Sequence, residues 1–516
     1  MLKFKVHSVP TKTLPQDATI DEVREHRKRI LNQIRRNVRL KHGVRSGRRL
    51  DNAASMRTVP LYGNFADIGY YYVYISFEGE GNKFSVILDT GSGLTVIPCH
   101  NCNNCGKHMG HVYKLTSTSK SVKCNTRECS SMNGRCNSGS MCGFTISYSE
   151  GSSLSGNFMN DNVCLGERSK CTAKDLVSFN FGCATVMTNL FRTQLADGIM
   201  GVNNNVHTTL IDALRSHHNL KEDLVSICLG QEGGEFVVGG YNENLSFQRG
   251  AEPVWVPQVS MLNPFYKISV RGVSVGGRSS KLSLVATLDS GTTYTFIPSS
   301  LFSTLRKQFD SHCGSGYTSG DKCLGKRNNA ADPDAVNCYT VTDTHGKNLT
   351  KVMHTFPSIV FTLDDSVTIK MLPYQYFYKT KGNSLCIGLY SDPEFILGMN
   401  FFQYQNIVFD KPKKRIGFVP ARCSEKDPYC IDGNCSNEAG SSVDLEIVLL
   451  LSAISILLIS CIAYIFKSNG VGCKCSCCGP KKSYASLDDV DQEDVDLGIE
   501  GGDMEMVEQS GAEVST

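Results

Sequence analysis

Two stretches of this sequence, FSVILDTGSGLTVIP at residues 84–98 and LVATLDSGTTYTFIP at residues 284–298, follow one pattern. Each leads from an apolar run into Asp-(Thr/Ser)-Gly-(Ser/Thr) and returns to an apolar run that ends in Ile-Pro. An apolar-apolar-Gly element follows each stretch, at 199–201 and at 396–398. Because both parts recur in the same order about two hundred positions later, the sequence predicts two similar lobes.

The residues around these stretches predict a mostly β fold. Residues 70–77 and 84–88 are rich in β-branched and aromatic side chains, and glycines at 79 and 81 separate them. Helical spacing is limited to about 207–217 and 299–309. The fold class that we predict is therefore mostly β with short helices.

Length and composition limit the classes of protein to which this chain can belong. The chain has 516 residues, with 41% hydrophobic and 20% charged side chains, which is enough apolar material for packed domains. The formal net charge is only +3, which argues against a nucleic-acid partner bound through bulk charge.

The repeated turns predict a pair of facing carboxylates. An apolar strand delivers Asp89 or Asp289 to a buried position, and Gly91 or Gly291 permits a tight turn two residues later. Two carboxylates at short range share one proton, because both cannot be ionised together. One can then act as general base on a water molecule while the other polarises a peptide carbonyl, so no metal ion and no cofactor are required.

The neighbours of each Asp fit that chemistry. Ser92 and Thr292 can donate hydroxyl hydrogen bonds to the outer carboxylate oxygens, and Thr90 and Ser290 can bond across to the opposite turn. Two lobes that contribute one Asp each would leave a long cleft between them, which suits an extended peptide. The predicted supporting residues are Thr90, Gly91, Ser92, Ser290, Gly291 and Thr292.

Over residues 65–423 these motifs together resemble the pepsin-like (family A1) aspartic endopeptidases. The resemblance implies a bilobal fold, catalysis by Asp89 and Asp289, and a monomer that acts on an extended peptide. It also implies that Tyr148 belongs to the hairpin flap that closes on substrate; the alternative is an ordinary hairpin aromatic. The chain departs from pepsin at Val96, where pepsin has a Trp that bonds the flap tyrosine.

The chain has 23 cysteines, and eighteen of them lie between Cys99 and Cys435. This number predicts a disulfide framework in an oxidising compartment. Cys99, Cys102 and Cys105 form C-x2-C-x2-C, which could also hold zinc or an iron–sulfur cluster, although disulfides are the simpler account. The disulfide candidates are Cys99, Cys102, Cys105, Cys124, Cys129, Cys136, Cys142, Cys228, Cys313 and Cys423.

The cysteine-rich insert at 99–142 is similar to that of the nepenthesin/plasmepsin V-like group of membrane-anchored aspartic proteases. The runs at 97–109 and 148–156 carry this likeness. It implies that Glu150, next to Gly151 and assisted by Gln194, recognises an arginine of the substrate, upstream of a Leu. The alternative for Glu150 is a solvated acid at the flap edge. A resemblance to β-secretase, also membrane-anchored, implies a bond between Cys228 and Cys423.

Residues 445–466 predict a membrane span. Glu446 is their only charged residue, and about twenty predominantly apolar residues cross a bilayer; the alternative is a buried core helix. Lysines follow the segment, so the positive-inside rule predicts a single-pass type I protein with a cytoplasmic C-terminus and a luminal or extracellular ectodomain. An ectodomain needs a signal sequence, but residues 1–30 show no apolar core of that kind.

The remaining segments complete the predicted organisation. Residues 1–60 are basic and are either a solvated helix or an inhibitory pro-segment. The two lobes are assigned to 61–240 and 241–423, a stalk to 424–444, and an acidic tail with four membrane-proximal cysteines to 467–516. Those cysteines fit palmitoylation better than zinc binding. Possible glycan acceptors are Asn244, Asn348 and Asn434.

The predicted function is a secretory-pathway aspartic endopeptidase. The organelle, whether endoplasmic reticulum, Golgi or endosome, stays open. The rival functions are a β-secretase-like sheddase, a catalytically silent pepsin-like binding protein, and a metal-dependent cysteine-rich binding module. Both Asp residues and their hydroxyl neighbours are intact, which argues against the silent protein.

Overall fold

The computed structural model describes residues 3–4 and 56–436 except 80, 138, 149, 205–207, 219, 221, 249, 260–263, 315–321, 342–348, 365–366, 381–383, 426, 428 and 432–433. The strands, β1 to β29 in chain order, are Lys3–Phe4, Arg57–Asn64, Tyr70–Phe77, Lys83–Asp89, Thr95–Pro98, Lys120–Ser121, Arg135–Cys136, Cys142–Tyr148, Ser153–Leu165, Val177–Met187, Gly198–Gly201, Leu224–Leu229, Gly234–Val238, Val254–Pro257, Lys267–Val275, Arg278–Leu288, Thr295–Ile297, Lys326–Arg327, Cys338–Thr340, Ile359–Leu363, Val367–Met371, Phe377–Lys379, Ser384–Ile387, Leu389–Ser391, Ile396–Leu397, Gln405–Asp410, Arg415–Pro420, Tyr429–Ile431 and Asn434–Ser436.

The α-helices, α1 to α7, are Arg127–Ser131, Leu190–Thr193, Leu210–His218, Ser299–Cys313, Leu349–Met353, Pro373–Tyr376 and Met399–Phe402. Single 3₁₀ turns lie at Arg168–Lys170, Ala173–Asp175, Glu243–Leu245 and Asn329–Ala331. The prediction of a mostly β fold with short helices is confirmed. The helix predicted near 207–217 begins later, at Leu210, and the one predicted at 299–309 continues to Cys313.

The described strands form sheets of sixteen, seven, four and two strands. The first Asp turn lies in the largest sheet. Strand β4 ends at Asp89 and the chain returns as β5, while β11 lies between them, parallel to β4 and antiparallel to β5. Gly201 is thereby opposite Asp89. The side chains of β5 and β11 are buried throughout, because sheet neighbours and covering segments enclose both faces.

The second Asp turn repeats this arrangement in the seven-stranded sheet. Strand β16 ends one residue before Asp289, and the chain returns as β17. Strand β25 lies between them, parallel to β16 with Leu397 opposite Leu288 and antiparallel to β17. The sequence repeat is therefore a repeat of local structure, and it gives both Asp residues the same setting.

Strands from distant parts of the chain close the base of the fold. Strand β12 pairs with β13 on one side and with β26 on the other, and β26 pairs with β27. A disulfide joins Cys228 of β12 to Cys423. This is the pairing that the sequence resemblance implied.

All ten predicted disulfide cysteines are bonded. The bonds among the described residues are Cys99–Cys183, Cys102–Cys105, Cys124–Cys136, Cys129–Cys142, Cys164–Cys171, Cys228–Cys423, Cys313–Cys323 and Cys338–Cys386. The C-x2-C-x2-C sulfurs are thus used in disulfides. In the described part of the chain, no group of three or more His, Cys, Asp and Glu side chains is arranged to hold a metal ion.

The predicted span at 445–466, most of the basic segment 1–60, most of the stalk and the tail lie outside the described residues. Within the described ranges, no helix combines the length and the apolar character that a bilayer crossing requires. The predicted lobe boundaries and the anchor stay predictions.

Candidate active site

Asp89 and Asp289 are buried side by side where the two repeated turns meet. They are 1% and 5% exposed. A Cβ atom built on Gly91 would lie 2.6 Å from Oδ2 of Asp289, so the Asp289 carboxylate lies directly against the first turn. The Asp89 carboxylate contacts Gly291 in the same way. Only glycine leaves room for this approach, which explains the residue type at both positions.

Each turn binds its own carboxylate in the same way. The Gly91 amide donates to Asp89 Oδ1 at 2.8 Å, and the Ser92 hydroxyl donates to Oδ2 at 2.5 Å. In the second turn, the Gly291 amide donates to Asp289 Oδ1 at 2.8 Å and the Thr292 hydroxyl to Oδ2 at 2.7 Å. In each turn, Oδ2 of the Asp thus accepts a hydrogen bond from the hydroxyl three residues later.

A hydrogen-bond exchange locks the two turns together. The Thr90 hydroxyl donates to Leu288 O at 2.9 Å, and the Ser290 hydroxyl donates to Leu88 O at 2.7 Å. In turn, the Ser290 amide donates to Thr90 Oγ1 at 2.9 Å, and the Thr90 amide donates to Ser290 Oγ at 3.1 Å. All four bonds are buried and cross between the halves of the repeat, so they hold the two carboxylates in one relative orientation.

Burial and the second carboxylate govern the ionisation of this pair. Burial, with the neighbouring charge of Asp289 as the second cause, raises the pKa of Asp89 well above its usual range. The pair therefore retains one proton at a pH at which a solvated Asp would have lost it. A carboxylate and a carboxylic acid facing each other can activate a water molecule and protonate a leaving amine.

Tyr148 is the last residue of β8 and interacts electrostatically with both carboxylates. Its side chain is 5% exposed, and its ring centroid is 4.9 Å from that of Phe191. Burial, and then the charges of Asp89, Glu150 and Asp289, raise the pKa of Tyr148, so the hydroxyl stays protonated. Val96, which replaces the Trp of pepsin, is fully buried and offers the hydroxyl no hydrogen bond.

Two polar atoms near the flap are buried without a hydrogen-bond partner among the described residues. They are Oε2 of Glu150 and Nε2 of Gln194. Burial is the main cause of a raised pKa for Glu150. Buried polar groups without partners are uncommon in native proteins and indicate a ligand or solvent that satisfies them.

Sequence reasoning did not identify residues 188–191, which contact the flap. Asn189 Nδ2 donates to Gly151 O at 2.9 Å, and Phe191 packs on Tyr148. No spacing or repeat marks these residues. An Asn with a positive φ of 48° is a backbone feature that only coordinates reveal.

Comparisons with known proteins agree with this geometry. The family model "Eukaryotic aspartyl protease" matches residues 70–421. Plasmepsin V of Plasmodium falciparum is 26% identical over 439 residues, which cover 70% of this chain and 73% of that protein. Aspartic protease 5 of Toxoplasma gondii is 30% identical over 389 residues, covering 70% of this chain and 37% of that protein.

A solved structure supports the fold alone. Basic 7S globulin from soybean superposes with a TM-score of 0.56 at 16% identity, covering 72% of this chain and 96% of that one. The family match spans more than half of the chain and includes both Asp turns, Tyr148 and the 188–194 segment. The chain therefore belongs to the eukaryotic aspartyl proteases, and it is an aspartic endopeptidase that acts on peptide substrates.

Proposed function

We propose that Asp89 and Asp289 are the catalytic pair and that they hydrolyse peptide bonds through one shared proton and an activated water. The observation that carries this proposal is the symmetric setting of the two carboxylates, each bonded by its own glycine amide and hydroxyl and pressed against the opposite turn. In the first step the ionised carboxylate removes a proton from water while the protonated one donates to the carbonyl oxygen. Collapse of the tetrahedral intermediate returns a proton to the leaving amine.

The direct test is isosteric removal of each acid. Asp89→Asn and Asp289→Asn keep side-chain volume but cannot share a proton, so each should lower kcat by at least about a hundredfold. Cleavage of a fluorogenic peptide, with and without a statine-type transition-state mimic, measures this. Activity that survives both substitutions at the wild-type rate would overturn the assignment.

We further propose that the enzyme prefers an arginine upstream of a Leu. The unpartnered Oε2 of Glu150 supports this, since a guanidinium presents donors in a planar fork and a carboxylate accepts two of them. The relevant side chains lie on the flap and on the segment that contacts it. A plasmepsin V-like specificity is thus the finer proposal, and the peptide-hydrolase activity does not depend on it.

Matched peptides test the preference. Peptides that differ only in Arg, Lys or Ala at the upstream position should show the highest kcat/KM for Arg in the wild type, and Glu150→Gln should remove most of that difference. Asp67→Asn, a neutralised acid in the turn after β2, is the control, and the Arg preference should persist in it. Equal kcat/KM for all three peptides with the wild type would refute the arginine proposal.

Residues 445–466 would anchor the enzyme as a single-pass type I protein, with the catalytic part luminal in the secretory pathway and residues 467–516 cytoplasmic. The eight disulfides among the described residues support an oxidising compartment. Carbonate extraction of membranes, with protease protection of an epitope added after residue 516, tests both anchoring and orientation. An epitope shielded together with the ectodomain would contradict the proposed orientation.

A further inference from the structure

The segment 188–194, which we call the flap latch, contacts the flap hairpin (β8 and β9) at several points. Strand β10 ends at Met187, and helix α2 occupies Leu190–Thr193. The Leu190 amide donates to the Ser152 hydroxyl at 3.1 Å, and the Ser153 amide donates to the Thr188 hydroxyl at 2.7 Å. The Phe191 ring packs on Tyr148. The latch therefore contacts both the tip of the flap and its tyrosine.

Asn189 has an unusual backbone conformation. With φ 48° and ψ −121° it occupies the first central position of a type II′ turn, which the Phe191 amide closes on Thr188 O at 3.2 Å. That position favours glycine, because a Cβ atom is crowded at positive φ outside the left-handed helical region. Asn is thus a strained choice at a site where Gly would be relaxed.

The side chain of Asn189 also does not cap helix α2. Asn189 precedes the first residue of α2, where an Asn normally accepts a hydrogen bond from a backbone amide of the first turn. It makes no such bond. Its amide instead donates to the carbonyl of Gly151 at 2.9 Å, and Gly151 has a positive φ of 92° at the flap tip. Asn189 thus has neither a relaxed backbone conformation nor a helix-capping hydrogen bond, and its side chain contacts the flap instead.

The cysteine-rich insert also contacts the latch. Arg192 Nη2 donates to Asn104 Oδ1 at 2.6 Å, and the Met109 amide donates at 2.8 Å to the carbonyl of Leu195, the residue directly after the latch. Gly106 leaves no room for a Cβ against the carbonyl of Arg192. The insert thus fixes the latch to the body of the molecule.

We propose that Asn189 is a positioning residue that holds the flap over the catalytic pair, in place of the tryptophan contact that Val96 cannot make. The bond from Asn189 to Gly151 favours the closed hairpin before substrate arrives, so less binding energy is needed to close it. Loss of the bond should raise KM while leaving kcat nearly unchanged. This inference rests on the endopeptidase activity and does not depend on the arginine preference or on anchoring.

Two substitutions at Asn189 distinguish a role in holding the flap from a role in stabilising the fold. Asn189→Gly removes the amide and relieves the backbone strain, so the fold should be as stable as the wild type or more so. Asn189→Asp keeps the shape but replaces the donor by a carboxylate facing the Gly151 carbonyl. Both should raise KM by about two- to tenfold, the range expected for one lost hydrogen bond. Asn133→Gly is the matched control, since Asn133 also has a positive φ of 55° and lies exposed in the cysteine-rich insert.

Hydrogen exchange of the intact ectodomain gives a readout independent of turnover. Amides of the flap hairpin, residues 142–165, should exchange faster in Asn189→Gly and Asn189→Asp than in the wild type and in Asn133→Gly. Wild-type KM and wild-type flap exchange in Asn189→Gly would overturn the proposal, even if Asn189→Asp is impaired. Absence of cleavage by every variant would count against the proposed catalysis, and the exchange rates would still decide whether Asn189 holds the flap.

Discussion

At the scale of single residues, Asp89 and Asp289 combine burial, like-charge proximity and hydroxyl donors within a few ångströms. The loss of water and the second carboxylate both raise the pKa of Asp89. The fold therefore carries a free-energy cost at the site, and this cost depends on pH.

Asp89→Asn should stabilise the fold at neutral pH. A raised pKa means that the folded wild type loses stability as pH rises above about 4, the pKa of an unfolded Asp, until the folded-state pKa is passed. Asn does not ionise. The gain in the free energy of unfolding of Asp89→Asn over the wild type should therefore be near zero at acid pH and reach at least about 1 kcal/mol at neutral pH. Denaturant unfolding of both proteins across this range measures it. A gain that is larger in acid than at neutrality would contradict the stated origin of the pKa shift.

Selectivity for arginine should increase with pH. Burial raises the pKa of Glu150, so this carboxyl is neutral at low pH and gains the charge needed to pair with a guanidinium only as pH rises through its pKa. The ratio of kcat/KM for Arg and Ala peptides, measured at several pH values, should rise in the wild type and stay flat in Glu150→Gln. A ratio that falls with pH in the wild type would exclude Glu150 as the discriminating charge.

The hydrogen bonds that Thr90 and Ser290 form across the two turns should contribute to the free energy of unfolding. Thr90→Val removes a buried hydroxyl that donates to Leu288 O and accepts from the Ser290 amide. Leaving those groups without partners should cost about 1–3 kcal/mol of stability. Thr90→Ser keeps the hydroxyl and is the control. Urea unfolding distinguishes them, and equal midpoints for Thr90→Val and Thr90→Ser would refute the importance of the exchange.

At the scale of elements, strand β11 and the glycine directly after β25 pack closely against the backbone of the two Asp turns. A Cβ atom on Gly201 would lie 2.6 Å from the amide nitrogen of Leu94, and one on Gly398 would lie 2.7 Å from Thr292 O. Neither glycine has a positive φ, so the reason for glycine is space and not backbone freedom. The apolar-apolar-Gly elements in the sequence mark these contacts.

Gly398→Ala should therefore damage both fold and catalysis. The added methyl group must displace the Thr292–Tyr294 backbone, and overpacking of this kind costs about 1–3 kcal/mol. Because Thr292 bonds Asp289, kcat should also fall. Gly139→Ala is the control, since the nearest atom to its Cβ would be 3.5 Å away. Thermal unfolding and peptide cleavage report both effects, and wild-type values for both would contradict the packing argument.

At the scale of the whole molecule, the disulfide between Cys228 and Cys423 closes the longest loop among the described disulfides. The two cysteines are 195 residues apart, whereas Cys313 and Cys323 are 10 apart. A crosslink restricts the unfolded chain more when it closes a longer loop. We therefore expect this bond to contribute more to the stability of the fold than the short-loop disulfides do.

Removal of the two disulfides should have unequal effects. The loop-entropy relation predicts that Cys228→Ala with Cys423→Ala loses about 2–3 kcal/mol more stability than Cys313→Ala with Cys323→Ala. Denaturant unfolding of both double variants under non-reducing conditions tests this. Equal losses, or a greater loss at the shorter loop, would show that the entropy of the unfolded chain is not the main term.

The sequence by itself determined the repeated Asp turns, the supporting hydroxyls, the mostly β character and a cysteine content typical of disulfides, because these follow from residue type and local spacing. Only the tertiary structure decided how the two turns lock through Thr90 and Ser290, which cysteines pair, and that Asn189 contacts the flap. Such contacts join residues far apart in the chain and depend on backbone geometry and burial. Local sequence does not encode either of these.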